Sequence, residues 1–258
     1  MEIKAAMSRL ALAALTATVA GCGGGSAPSS GPEETAAIAA VIKKAVSTTD
    51  PADCTRLMTQ RFVEQSELSK GRAALKRCEE DVGDASGNPR STIVSNVRID
   101  GDTARARAAF DGGDLDGQAV NLRVIRDGEG WKVDHIDSFA RFDRKRLLRA
   151  TENALRRPPQ ELSADAAGCI PRRLDKLSDA ALQQVFLSGD PGRVAAVAGP
   201  CMIGMFRREF VRQGVPKSVA ECMVGKLDKP PYDTIRRLLG GADPEQLLQP
   251  IVQACVAG

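Results

Sequence analysis

From Glu33 to Asp50 the apolar residues Ile38, Val41, Ile42 and Ala45 recur at steps of three and four in "EETAAIAAVIKKAVSTTD", a spacing that predicts an amphipathic helix. A second helix is expected in "DPADCTRLMT", with Asp50 as N-cap and Pro51 at the first helical position. A third, "GRAALKRCEEDV", runs from Gly71 to Val82. After the breaker "GDASGNP" the period falls to two. "TIVSNVRID", "TARARAAF", "QAVNLRVIRD" and "GWKVDHID" alternate and are rich in β-branched residues, and "DGD", "DGGDLDG" and "DGEG" between them supply turn chemistry. They predict an antiparallel meander. Residues 33–140 should therefore form an α+β unit in which N-terminal helices pack on a curved antiparallel four-stranded sheet.

Beyond Phe139 the alternation stops. "RFDRKRLLRATENALRR", Arg141 to Arg157, is a charged helix with Leu147, Leu148, Thr151 and Leu155 as its inner stripe. The remainder repeats itself: "CIPRRLDKLSDAALQQVFLSGDPGRVAAVAGPC" (Cys169 to Cys201) and "CMVGKLDKPPYDTIRRLLGGADPEQLLQPIVQAC" (Cys222 to Cys255). Both open at a cysteine, carry "LDK", break at "SGDP" or "GGADP", and close at a cysteine. In each break an Asp-Pro pair, Asp190-Pro191 or Asp243-Pro244, repeats a helix-start signal. With the helical stretch before each cysteine, a unit has about 55 to 60 residues in three short helices. The expectation for 141–258 is an all-α domain of two stacked units, about 142–201 and 202–255. Its loops "KLDKPPYD" and "LSGDPG" should be exposed, with Tyr232 as a rigid anchor for an envelope protein partner.

Composition sharpens this picture. Aromatic residues are only 3%, with one Trp and one Tyr, so the cores must rest on Ala, Val, Leu and Ile. A net charge of +3, from 36 basic and 33 acidic residues, lacks the basic excess of a nucleic-acid binder. At the N-terminus, Lys4 and Arg9 precede the uncharged run "LALAALTATVA", the layout of a secretory signal peptide over residues 1–21. The run ends in "VAGC", which resembles the lipobox of bacterial lipoproteins. That resemblance implies a lipid on Cys22, a membrane-anchored protein facing outside the cytoplasm, and a flexible tether over 22–32 reaching about 17 Å. The alternative, an ordinary signal peptide cut nearby, leaves Cys22 as a thiol.

Six cysteines then remain in an exported chain, an even set that reads as three disulfides. Cys54 and Cys78 form the natural pair of the first unit, worth about 3.5 kcal/mol on the chain-entropy model. In the repeat the simplest pairing is Cys169–Cys201 and Cys222–Cys255; the rival, Cys169–Cys222 and Cys201–Cys255, would join the units instead. Without a Cys-x-x-Cys and with one His, a zinc site is not expected, nor is any other metal or cofactor.

The helices of the first unit, followed by the sheet with "DGDTARA" and "GEGWKVDHID" as its hairpin landmarks, resemble the nuclear-transport-factor-2-like α+β cone. That family holds steroid isomerases and polyketide cyclases beside modules without catalysis. An isomerase-type site combines a carboxylate base with Tyr and protonated Asp donors. Here the single tyrosine lies outside the cone, and Asp100, Asp102, Asp111, Asp114, Asp116 and Asp127 fall in turns. His135 remains. Strict alternation puts it on one face with Trp131 and Val133, turns Asp134 to the other face, and leaves Asp137 within reach. His135, Trp131 and Asp137 are therefore the candidate ligand contacts, and no catalytic residue is assigned. The expected function is a non-catalytic, membrane-anchored binding or scaffolding module of the cell envelope. The competing expectation is a cone-pocket enzyme or carrier of a small apolar ligand that uses His135.

Overall fold

The computed structural model describes residues 31–82, 85–128, 130–157, 164–229 and 232–256. The signal peptide, Cys22 and nearly all of the tether lie outside them. The chain is α+β: helices, a four-stranded antiparallel sheet in sequential order, then helices again.

Helix α1 (Pro32–Ala45) starts on a proline, with Glu33 and Glu34 in its first turn and Lys43 and Lys44 in its last, each sign matched to the helix dipole. Its stripe Ile38, Ile42 and Ala45 is buried against the sheet. The second expected helix is shorter than its sequence suggested. Asp50 does not cap it; its Oδ1 accepts from Ala52 N at 3.0 Å in a turn, and α2 spans only Asp53–Arg56. The fully buried Asp53 accepts from Thr48 Oγ1 at 2.6 Å and from Arg56 Nε at 2.8 Å. Burial alone would raise this carboxyl. The hydrogen bonds from Thr48 and Arg56, with the charges of Arg56 and Lys44, outweigh it and hold Asp53 below the usual carboxylate range. Leu57–Thr59 then leave the helix to pair with the sheet: Val133 N donates to Leu57 O and Thr59 N to Val133 O. A helix absent from the sequence expectation follows, α3 (Gln60–Ser66), capped by Thr59 Oγ1. Helix α4 (Gly71–Asp81) completes the set.

Strands β1 (Ser91–Asp100), β2 (Thr103–Asp111), β3 (Ala119–Asp127) and β4 (Gly130–Arg141) form the meander. The core face presents Ala104, Ala106, Ala108 and Phe110 from β2, Val120, Leu122 and Val124 from β3, and Trp131 and Val133 from β4. Alanines on β2 let the helices approach closely, which suits a chain poor in aromatics. Strand β4 breaks strict alternation: its register against β3 slips three times, leaving Asp134, Asp137 and Ala140 as extra residues. Core-directed positions after Val133 are therefore Ile136 and Phe139, at steps of three.

The second part contains α5 (Arg144–Arg156), α6 (Ala164–Leu174), α7 (Asp179–Leu187), α8 (Pro191–Arg212), α9 (Lys217–Leu227), α10 (Asp233–Leu239) and α11 (Pro244–Val256). The repeat is visible, with two differences from expectation. Each unit has four helical segments rather than three, and the boundary at 201/202 falls inside continuous α8. "GPCMIGM" carries helix-stop signals in Gly199, Pro200 and Gly204, yet the chain runs through them as one helix. Both duplicated caps form: Asp190 Oδ1 accepts from Gly192 N and Asp243 Oδ1 from Glu245 N, each at 2.8 Å. The disulfides are Cys54–Cys78, Cys169–Cys201 and Cys222–Cys255, with Cα atoms 6.1, 5.8 and 5.7 Å apart. They tie α2 to α4, α6 to α8 and α9 to α11.

The loops expected to be exposed are partly spent on internal seams. Tyr232 is half-buried, and a Cβ at Gly199 would lie 2.8 Å from its ring, so the tyrosine packs α10 onto α8. Gly189 is buried, and a Cβ there would lie 2.9 Å from Gln65 Cα on α3. The C-terminal carbonyls of the equivalent helices α7 and α10 meet the same α3–α4 segment. Gln65 Nε2 donates to Leu187 O at 2.6 Å; Arg77 donates to Leu238 O at 3.0 Å and Leu239 O at 2.7 Å; Ser69 Oγ donates to Gly240 O at 2.9 Å. These donors satisfy carbonyls that a helix end leaves unpaired. The repeat thus docks twice, at matching positions, on the first unit.

Beside this seam, burial first and the neighbouring Asp81 carboxylate second push Glu67 up from 4.5 to about 7. The folded chain then holds a proton that the unfolded chain releases, so stability falls as pH rises from 4.5 towards 7. Urea melts at pH 5 and pH 8 should differ by roughly 2 kcal/mol after allowing for solvent screening, and Glu67→Gln should flatten the slope. Asp53 and Glu64, both held low, titrate below this window. An unchanged slope in the variant would assign the proton elsewhere.

Candidate functional site

The bulges of β4 decide what surrounds His135. Because Asp134 is an extra residue, it does not turn away; its Oδ2 lies 2.7 Å from His135 Nδ1. Asp137, the next extra residue, reaches Nε2 at 2.5 Å. The expected sharing of a face by His135, Trp131 and Val133 is overturned for the same reason, since a bulge changes the parity of the strand. Thr59 Oγ1 donates to Asp134 Oδ1 at 3.0 Å, Arg61 stands 3.5 Å from Asp134, and Arg123 stands 3.6 Å from Asp137. Trp131 belongs to the core, where the Arg126 guanidinium sits 4.5 Å over its ring and pairs with Glu34. The structure therefore joins His135 with Asp137 and separates both from Trp131.

His135 borders a recess of about 330 Å³ with Arg61, Gln65, Lys70, Asp137 and Gln184. A general base must present a nitrogen within hydrogen-bond reach of the substrate proton. Both nitrogens of this ring already face carboxylates, and the ring is buried. Asp134, His135 and Asp137 all belong to β4; Thr59 and Arg61 join Asp134 to the α2–α3 segment, and Arg123 joins Asp137 to β3.

A larger recess, about 460 Å³, lies on the sheet face turned away from the helices, lined by Asn96, Arg98, Arg105, Arg107, Asn121 and Arg123 with Asp137 and Ser138 at its edge. Cross-strand register explains it. Arg98 pairs with Arg105, Arg105 with Arg123, and Arg123 with His135, which makes one transverse row across all four strands. The next row holds Ser95, Arg107, Asn121 and Ser138. Asn96 adopts φ +54° where β1 slips register, and this bulge places it beside the row. The sequence expectation missed this face, although Arg105 and Arg107 stand two apart in "TARARAAF".

Among the described residues, no group of three or more His, Cys, Asp or Glu is placed to hold a metal ion. Compared with models of known protein families, with curated proteins and with solved structures, the chain matches none.

Proposed function

We propose that this chain is a non-catalytic binding module of the cell envelope, held at a membrane surface by lipid on Cys22. The observation that carries the binding reading is the filled interior of the α+β unit. Ile38, Ile42, Val120, Leu122, Val124 and Val133 close the space between helices and sheet at 1% exposure or less. An enzyme or apolar-ligand carrier working inside the cone needs that space open. Both recesses described above lie outside it and are lined mainly by polar and charged side chains. Three disulfides suit an oxidising compartment, and the "VAGC" motif supports the anchor. Two or more acyl chains hold a protein at a bilayer where one binds only reversibly.

Expression of the full chain in a bacterial host, followed by membrane fractionation and intact-mass measurement without reductant, tests the anchor. Wild type should partition with membranes and carry acyl mass on Cys22, with no thiol open to alkylation. Cys22→Ser should appear in the soluble fraction with both folded parts intact. A Cys22→Ser protein that stays with the membrane would refute the lipid anchor.

A further inference from the structure

The arginine row sets like charges side by side across the sheet. Like charges directly opposite on neighbouring strands destabilise a sheet, and this sheet places Arg105 between Arg98 and Arg123. Among the described residues Arg98, Arg105 and Arg107 form no ion pair, and all three are exposed; only Arg123 has a carboxylate near, Asp137 at 3.6 Å. Four cations thus share one acidic neighbour in a single recess.

We propose that this recess binds a small, soluble phosphorylated ligand with at least two negative charges. Neighbouring strands lie about 5 Å apart and alternate residues along a strand about 7 Å apart, so the guanidinium stems stand on a grid of those dimensions. Such a grid meets two phosphate groups of one small molecule. Guanidinium groups hydrogen-bond phosphate oxygens in pairs, which is why arginine rather than lysine serves such sites. Asn96, Asn121 and Ser138 add uncharged polar groups around the charges, suited to the hydroxyls of a phosphorylated metabolite. A flat lipid surface would meet the arginine tips without using these groups.

The inference rests on the reading of the chain as a binding module and not on its lipid anchor. It is tested with the full chain carrying Cys22→Ser, titrated with inorganic pyrophosphate by calorimetry at low ionic strength. A saturable isotherm is expected, weakened about tenfold or more by Arg98→Gln or Arg105→Gln and unchanged by Arg149→Gln on α5. Without ligand, Arg105→Gln should raise Tm by about 2 °C by relieving repulsion. No heat at millimolar pyrophosphate, equal losses from Arg105→Gln and Arg149→Gln, equal affinity for citrate, or capture by anionic phospholipid vesicles in place of pyrophosphate would each overturn the proposal. So would a large fall in Tm for Arg105→Gln, which would make the row structural. Release of orthophosphate from the probe would leave the site standing and refute the non-catalytic reading; absence of binding would do the reverse.

Discussion

Alanine at both Cys222 and Cys255 should lower the unfolding free energy by about 3.7 kcal/mol, the loop-closure term for this cross-link on the chain-entropy model. The bridge spans 33 residues and joins α9 to α11, the last helix among the described residues. Little else fixes α11. Leu247 and Cys255 are its buried apolar residues, Leu248 and Ile251 add partial contacts, and Val252 and Val256 are exposed. Loss of the bridge should therefore release α11 before the rest unfolds, with early deuterium uptake over 244–256 and a lower urea midpoint by circular dichroism. The equivalent bridge, Cys169–Cys201, closes a similar loop of 32 residues but ends on α8, which continues past Cys201 and is held on both sides of it, by Ala195 before and Ile203 after. Its removal should cost a comparable free energy without freeing any helix. A loss below about 1 kcal/mol for Cys222/Cys255 would mean that α11 is held by its apolar contacts alone.

Much of the fold was legible because its signals are local. Each strand begins within one residue of its expected start, since period-two runs bounded by "DGD" and "DGEG" specify both pairing and turn. What failed was set by partners distant in sequence. Helix α2 ends where Met58 pairs with Val133, a contact invisible in "DPADCTRLMT". Helix α3 is seven residues long with only Phe62 and Val63 buried, too short to show a period, although Thr59 offered a cap. The bulges of β4 follow from pairing with β3, so the surroundings of His135 could not be counted from strand parity. Tyr232 looked exposed because its loop is polar, yet Gly199 leaves it a seat.

The arginine face was within reach of the sequence. A tight turn pairing Asp100 with Thr103 brings Arg98 opposite Arg105 by counting, and Arg107 follows on the same face. It stayed hidden because the net charge is small and a charged residue on a strand is by default a solvated one. Only the full register, with Arg123 added from β3, shows that the charges share one recess.

Valine at Gly241 should be the most damaging single substitution at the seam between the two parts, costing about 3 kcal/mol or more. Two effects combine. Gly241 has φ +89°, where a β-branched residue is strained. A Cβ there would also lie 2.6 Å from Ala73 Cβ on α4 and 2.8 Å from Ser69 Oγ. Relief requires α10 to back away, which gives up the bonds from Ser69 to Gly240 O and from Arg77 to Leu238 O and Leu239 O. Gly214 separates strain from clash: its φ is +77°, but nothing lies within 4 Å of a Cβ built there. Gly214→Val should show the backbone cost alone, about 1 to 2 kcal/mol. The difference between the two urea midpoints then measures how firmly the repeat is docked. Protease cleavage near 240–243 should rise in Gly241→Val and not in Gly214→Val. Equal costs for the two variants would show that the packing against Ala73 does not hold the seam.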